Sequence, residues 1–529
     1  MHNFARIEGR KLYRAIKVEE YTNLREQAIR YMPESFDKLE YLIYLNVAQT
    51  RIEQAPETIG KIRSLRHLNL SETGVRNLPE AFGGLRGCPV ALDYWLNSKH
   101  CQGILQRKKN SKAVLELQGL ENMRTLGVDN VDRISKKDAE KMQLQRMHKL
   151  EHLALRCNTD GKCTSTSREV VEDIFDHLNP NCGLKTLEIT RYAGERFPRW
   201  MSDSDERRQL KNLAHLRLIN LKCKSLQVLG LLPSLTDLEI CGMDAITRFG
   251  KEPKGHALAF RALKKLTFCQ MLNLESWPED GAKCDSLEEL SVIQCPKFQK
   301  LSMVACSIKR LNVCMSPHQL FSKEGLSGLA NSKTMKSISI SLCEDLSSSS
   351  DIDGLKLLSS LKKLEISGCD ELESLPSGLV ENLASLKTLS ISRCSKLHRL
   401  FTPCDSLEQA SMHISGLEEL EISGCDELEG LFLDVEGLTS LKRLSVTGRI
   451  KLCDSTRRLS SIEVLEISGH DELESLLPGV VDSLPSLMSL SVVSCKLQDQ
   501  DVLCLLKCTT LRSLRISDCP NVNDVHLNH

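Results

Sequence analysis

Aromatic residues are scarce in this chain, 4% of 529, with three tryptophans, and neither sign of charge is in excess: 70 Lys plus Arg face 70 Asp plus Glu. That balance excludes bulk electrostatic attraction to nucleic acid or to an anionic membrane. The basic run Arg107, Lys108, Lys109 and Lys112 has no interleaved aromatics and reads as a solvated loop. No apolar run approaches the roughly 20 residues of a membrane span. The N-terminal stretch MHNFARIEGRKLYR lacks the apolar core of a secretory signal. A cytoplasmic chain is expected, in a reducing compartment where structural disulfides are rare. Metal-ligand spacing is missing too. Cys157 with Cys163, or Cys504 with Cys508, do not form paired C-x-x-C or C…H frames. Each Gly-Lys pair (Gly60-Lys61-Ile62, Gly161-Lys162-Cys163, Gly250-Lys251-Glu252) lacks the Ser or Thr that completes a phosphate loop. No cofactor, no metal site and no catalytic constellation is expected.

What the chain has in abundance is one phrase. LKKLEISGCDELESL begins at Leu361, LEELEISGCDELEGL at Leu417 and IEVLEISGHDELESL at Ile462, with looser copies at Leu386, Leu487 and Leu511. The template LxxLxLxxC returns every 21 to 31 residues. Alternation in LxL is strand spacing with one face buried. In the first copy Leu361, Leu364 and Ile366 point inward, and Lys362, Lys363 and Glu365 outward. Cys369 falls where the chain turns off the strand, and Leu372 and Leu375 bury the return. No repeat can cover its own apolar face, so stability comes from stacking on neighbours. The predicted fold is an α/β leucine-rich-repeat solenoid, a horseshoe with a parallel sheet on its concave face and irregular returns on its convex face. About 18 candidate repeats begin between Leu42 and Leu511.

The organisation expected is a non-repeat segment over 1–38, regular repeats over 39–87, an irregular insertion over 88–112 and repeats over 113–529. In the first pair Leu45 and Leu68, Thr50 and Thr73, and Pro56 and Pro79 are each 23 residues apart. A long return from Ser165 to Leu178 is expected to be a short helix with Val170, Val171, Ile174 and Phe175 on one side. Seven of the 22 cysteines (Cys295, Cys343, Cys369, Cys394, Cys425, Cys495, Cys519) occupy the turn position and read as buried structural thiols.

The order of landmarks is more specific than the repeats. IEQAPETIGKIRSLRHLNLSETGVRNLPEAFGGL (52–85) is followed by LELQGLENM (115–123), LKTLEITRYAGERFPRWM (184–201), LLPSLTDLEICGMDAITRFG (231–250) and AFRALKKLTFCQMLNLESWPE (259–279). This series resembles the leucine-rich-repeat region of plant intracellular disease resistance proteins of the coiled-coil, nucleotide-binding class, over roughly residues 39–529. The resemblance implies pathogen-effector detection and restraint of the receptor until detection. The implied partners are a pathogen effector, a guarded host protein, or a nucleotide-binding domain in cis or in trans. The family's phosphate loop and Met-His-Asp motif do not occur in this sequence, Met1-His2-Asn3 being a passing similarity, so nucleotide switching is not carried over. A truncated gene, a partial gene model and a stand-alone module all fit that pattern.

Contacts with a protein partner are expected on outward strand positions of the most regular repeats: Lys362, Lys363, Glu365, Glu418, Glu419, Glu421, Lys442, Arg443, Arg512 and Arg515. Glu365, Glu421 and Glu466 share one outward position, with Ser390, Ser445 and Ser491 interposed, which suits a mixed-charge recognition face better than a carboxylate site. Tyr192, Phe197 and Trp200 read as packing between repeats, with a partner anchor as the alternative. The competing function is a substrate receptor of an F-box type ubiquitin ligase, since KCTTLRSLRISDCPNVND (507–524) is similar to such repeats. No F-box-like helical segment is seen at the N-terminus.

Overall fold

The alternating LxL triplets form the strands, and each begins two residues after the first leucine of its template. The computed structural model describes residues 124–158, 165–201, 210–250, 259–278, 282–302, 307–330, 332–376, 379–400, 416–428, 440–448, 460–469, 484–496 and 510–519, with scattered positions before 124 and at 502 and 505. The expected insertion at 88–112 and the expected segment at 1–38 lie largely outside these residues, as do His470 and the basic run at 107–112. Contacts divide the chain into two units, 1–245 with 258–263, and 246–257 with 264–529.

The first unit holds β1 (Tyr21–Asn23), β2 (Tyr44–Asn46) and β3 (His67–Asn69), paired in parallel. A second run contains β4 (Ala91–Leu92), β5 (Thr125–Asp129), β6 (His152–Arg156), β7 (Thr186–Thr190), β8 (His215–Ile219) and β9 (Asp237–Cys241), each parallel to the next. Three of these strands are not among the repeats read from the sequence. β1 lies in the segment read as non-repeat and β4 in the stretch read as insertion. β5 is a full rung with Leu126 and Val128 buried. Its leading position is Met123, and Gly127 occupies the variable site, so the leucine template passes over it.

The unit also has α1 (Lys136–Met142), whose Ser135 hydroxyl accepts the Asp138 amide as an N-cap, and α2 (Ser165–His177). The expected helix is present, but its inward face differs. Val171, Ile174, Phe175 and Leu178 are buried while Val170 is 53% exposed, because the i, i+3, i+4, i+7 stripe begins at 171 and leaves 170 outside. Trp200 donates its indole N–H to the Phe175 carbonyl at 2.8 Å, and the Tyr192 hydroxyl donates to the Arg196 carbonyl at 3.0 Å. Tyr192, Phe197 and Trp200 are all buried, so they pack the return side and none is an exposed anchor.

The second unit holds β10 (Lys265–Cys269), β11 (Ser276–Trp277), β12 (Glu289–Ile293), β13 (Lys300–Leu301), β14 (Arg310–Cys314), β15 (Ser337–Ser341), β16 (Lys363–Ser367), β17 (Thr388–Ser392), β18 (Glu419–Ser423), β19 (Arg443–Thr447), β20 (Val464–Ser468), β21 (Ser489–Val493), β22 (Ser513–Ser517) and the short helix α3 (Leu379–Asn382). Apart from β11 and β13, which pair with each other, the strands stack in parallel without a register slip from β10 to β22. Their inward residues form two continuous apolar ladders. Leu364 is in register with Ile338 and Leu389, and Ile366 with Ile340 and Ile391, all at most 1% exposed. The return side adds an aromatic cluster that the leucine template does not announce. Phe249 meets Phe268 at 4.9 Å and Trp277 at 4.7 Å, both edge-on, and Trp277 donates its indole N–H to the Ala282 carbonyl at 3.0 Å. A 3-10 stretch over Ser349–Leu357 starts where the Ser348 amide donates to the Asp351 carboxylate at 2.8 Å.

At the turn after each strand of the stack from β10 to β22 one residue adopts positive φ. Glycine fills it at Gly368, Gly424, Gly448 and Gly469, but Met315 (φ 49°), Leu342 (φ 53°) and Arg393 (φ 51°) hold the same place elsewhere. The turn cysteines follow. Cys295, Cys343, Cys369, Cys394, Cys425 and Cys495 are buried as expected, and each thiol donates to the carbonyl two residues back, for example Cys394 to Ser392 at 3.5 Å. Cys519 departs from the expectation and is half-exposed in the turn that follows β22.

Candidate recognition surface on the strand face

Every predicted contact residue lies on the strand face of the second unit, in columns that the parallel register imposes. One column precedes the strands. Each residue in it gives its amide to the carbonyl of the residue one rung earlier, at 2.8–2.9 Å, from Glu288 onto Lys264 through to Glu463 onto Lys442. Read in order it is Lys264, Glu288, Lys309, Lys336, Lys362, Lys387, Glu418, Lys442, Glu463, and Arg512 continues it two rungs on. The next column runs Arg310, Ser337, Lys363, Thr388, Glu419, Arg443. The third runs Glu365, Ser390, Glu421, Ser445, Glu466, Ser491, Arg515. The serine spacers expected between the carboxylates are therefore in register.

The side chains are partly tied to one another. Lys363 Nζ contacts Glu365 Oε1 at 2.6 Å on its own strand, and that bond raises the lysine pKa. Lys387 Nζ meets Glu418 Oε1 at 2.6 Å, which lowers the Glu418 carboxyl below its ordinary range. Arg443 Nη1 reaches past its register neighbour to Glu466 Oε1 at 2.8 Å. The Thr388 and Ser390 hydroxyls donate to Glu419 and Glu421 at 3.2 and 3.1 Å. Among the described residues Lys362, Lys442, Arg512 and Arg515 enter no ion pair. Opposite signs face each other on adjoining rungs at Glu419 beside Arg443 and at Lys442 between Glu418 and Glu463. They do not at Lys362, whose neighbours are Lys336 and Lys387. The template fixes that this position is outward, not its sign.

The arrangement offers charged and hydroxyl groups on a rigid, closely spaced grid. Among the described residues no three His, Cys, Asp or Glu side chains converge as a metal-binding group would require. No helix among them is long and apolar enough to cross a membrane.

Comparison with known proteins agrees with the register. Residues 114–243 match the family model described as R13L1/DRL21 leucine-rich repeats, and residues 307–449 the one described as plant disease resistance protein RPS2-like leucine-rich repeats. The chain is similar to the putative disease resistance proteins RGA4 and RGA1 of Solanum bulbocastanum. The first is 28% identical over 233 residues, 42% of this chain and 22% of that protein; the second is 29% identical over 250 residues, 46% and 24%. The matches thus span about a quarter of those relatives' length. The solved structure of CroV588, a circular leucine-rich-repeat protein, superposes with a TM-score of 0.50 at 15% identity, covering 93% of this chain and 61% of that one. That likeness speaks for the fold alone. Repeat register, strand stacking and the two matched segments together identify this chain as carrying the leucine-rich-repeat region of a plant disease resistance protein.

Proposed function

We propose that this chain is a non-enzymatic, cytoplasmic protein-recognition module of plant defence, which binds a pathogen effector or a guarded host protein and restrains a nucleotide-binding domain. One observation carries the reading. The strand face of β16–β22 displays Lys362, Lys363, Glu365, Glu418, Glu419, Glu421, Lys442, Arg443, Arg512 and Arg515 in three fixed columns over a fully apolar stack. Mixed signs at fixed spacing discriminate between partners, because a mismatched charge costs more than a matched one gains. Glu419 and Glu421 are the centre of that display. The test is a capture assay with the nucleotide-binding domain of a related receptor supplied in trans. The E419K/E421K variant is expected to lose capture while its melting temperature stays within a degree or two, as surface changes do. Undiminished capture by a folded E419K/E421K chain would move recognition off these columns.

A further inference from the structure

The column preceding the strands alternates in sign wherever it is charged, except at one place. Between Glu288 and Glu418 four lysines follow one another, Lys309, Lys336, Lys362 and Lys387, the last three each giving their amide to the carbonyl of the lysine before. The two ends are neutralised within the chain, Lys309 by Glu288 at 3.0 Å and Lys387 by Glu418 at 2.6 Å. The middle pair, Lys336 and Lys362, is exposed, and among the described residues meets no carboxylate. Like charges on adjoining rungs about 4.8 Å apart repel, and the fold relieves this only at the two ends. The unrelieved pair sits on a backbone that the apolar ladders hold rigid, since Ile338 and Leu364 beneath it are fully buried.

We propose that this lysine ladder is the docking site for an acidic helical segment of a partner protein, held chiefly by Lys336 and Lys362. The proposal rests on reading the strand face as a recognition surface and names the chemistry of what it takes. Sign selects an anionic occupant, and spacing selects a helix. Three residues of α-helix advance about 4.5 Å, close to the step between rungs, so carboxylates at i, i+3, i+4 and i+7 can follow the ladder. An extended strand laid along the same column repeats its side chains every 6–7 Å or so and falls out of step.

The experiment is fluorescence anisotropy with the full chain and a labelled helical peptide that carries glutamates at i, i+3, i+4 and i+7. The wild type is expected to bind, more weakly as salt rises. K336E/K362E is expected to lose at least about tenfold in affinity with an unchanged melting temperature, and K442E, on the alternating part of the column, to lose little. Equal binding by wild type and K336E/K362E would overturn the site. Equal binding of a peptide of the same composition with its glutamates dispersed around the helix would overturn the geometry. Tighter binding of heparin or of anionic vesicles than of the peptide would overturn the partner class. Running E419K/E421K alongside separates the two readings. If the wild type fails to bind the peptide while E419K/E421K loses domain capture, the ladder proposal falls alone; peptide binding with undiminished capture by E419K/E421K removes the other.

Discussion

Leu364 and Glu365 are neighbours in sequence, yet the register gives them opposite fates. Leu364 is fully buried between Ile338 and Leu389, and Glu365 stands outside beside Lys363. Leu364→Asp places an unpaired carboxylate in the stack and should cost about 4 kcal/mol in denaturant unfolding. Glu365→Ala should stay within ~0.5 kcal/mol. Equal costs would put the strand in the wrong register. Leu342 poses the opposite case. It holds positive φ at 53° and is 44% exposed, where four later rungs use glycine. Leu342→Gly should therefore raise stability by about 1 kcal/mol, less whatever its surface contacts contribute. A loss of stability would show that the side chain, not the backbone, dominates there. Burial pushes the Cys295 thiol from 9.0 up to about 11. Cys369 and Cys394 are raised by the adjacent thiols Cys343 and Cys425, and by burial. A raised folded pKa means this contribution is whole below the unfolded value and is lost as pH climbs through the folded one. For Cys295 that window is about 9 to 11. The same protonated state predicts slow native labelling of Cys295, Cys369 and Cys394 by thiol reagents, rapid labelling in denaturant, and faster native labelling at half-exposed Cys519. Rapid native labelling of Cys369 would contradict its burial.

At the scale of elements, a rung is a strand, a left-handed turn residue, a capped thiol and a return. The strand part was legible because period-two alternation is local. Every candidate start from Leu150 to Leu511 precedes a strand by two residues. β5 was not legible, since Met123 and Gly127 carry no leucine signal and only burial of Leu126 and Val128 marks the rung. Helix α2 was legible in extent but not in orientation, because two adjacent valines fit either side of a stripe until the sheet selects one. The ion pair between Lys387 and Glu418 joins two rungs 31 residues apart. It holds the Glu418 carboxyl below its ordinary range, so the stability it adds is present above the unfolded carboxylate pKa and fades as pH falls through the folded value. Both groups are largely solvated, so the effect is small and salt-sensitive. An NMR titration should show the Glu418 pKa returning toward 4.5 in Lys387→Met, and an unmoved pKa would deny the pair.

On the scale of the whole molecule, each unit is stabilised by contacts between sequential rungs rather than by one central core, so damage should spread by neighbours. Hydrogen exchange of Leu364→Asp should lose protection first in β15, β16 and β17, with β10 and β12 following only at higher denaturant. Simultaneous loss across β10–β22 would mean that the second unit unfolds as a single cooperative block.

Local alternation alone is enough to set the repeat fold, the inward and outward positions of nearly every strand from β6 onward, and the burial of most turn cysteines. Each of these follows from alternation within a few residues and from the need of an apolar face to be covered. Which outward charges are neighbours follows from the stacking of the rungs, because returns of unequal length separate them by 21 to 31 residues and no local pattern carries a sign across that gap. The same holds for the aromatic cluster of Phe249, Phe268 and Trp277, whose members meet across separate rungs. It holds for Lys336 and Lys362, ordinary surface lysines in sequence, which parallel stacking turns into the one stretch of that column where like charges adjoin.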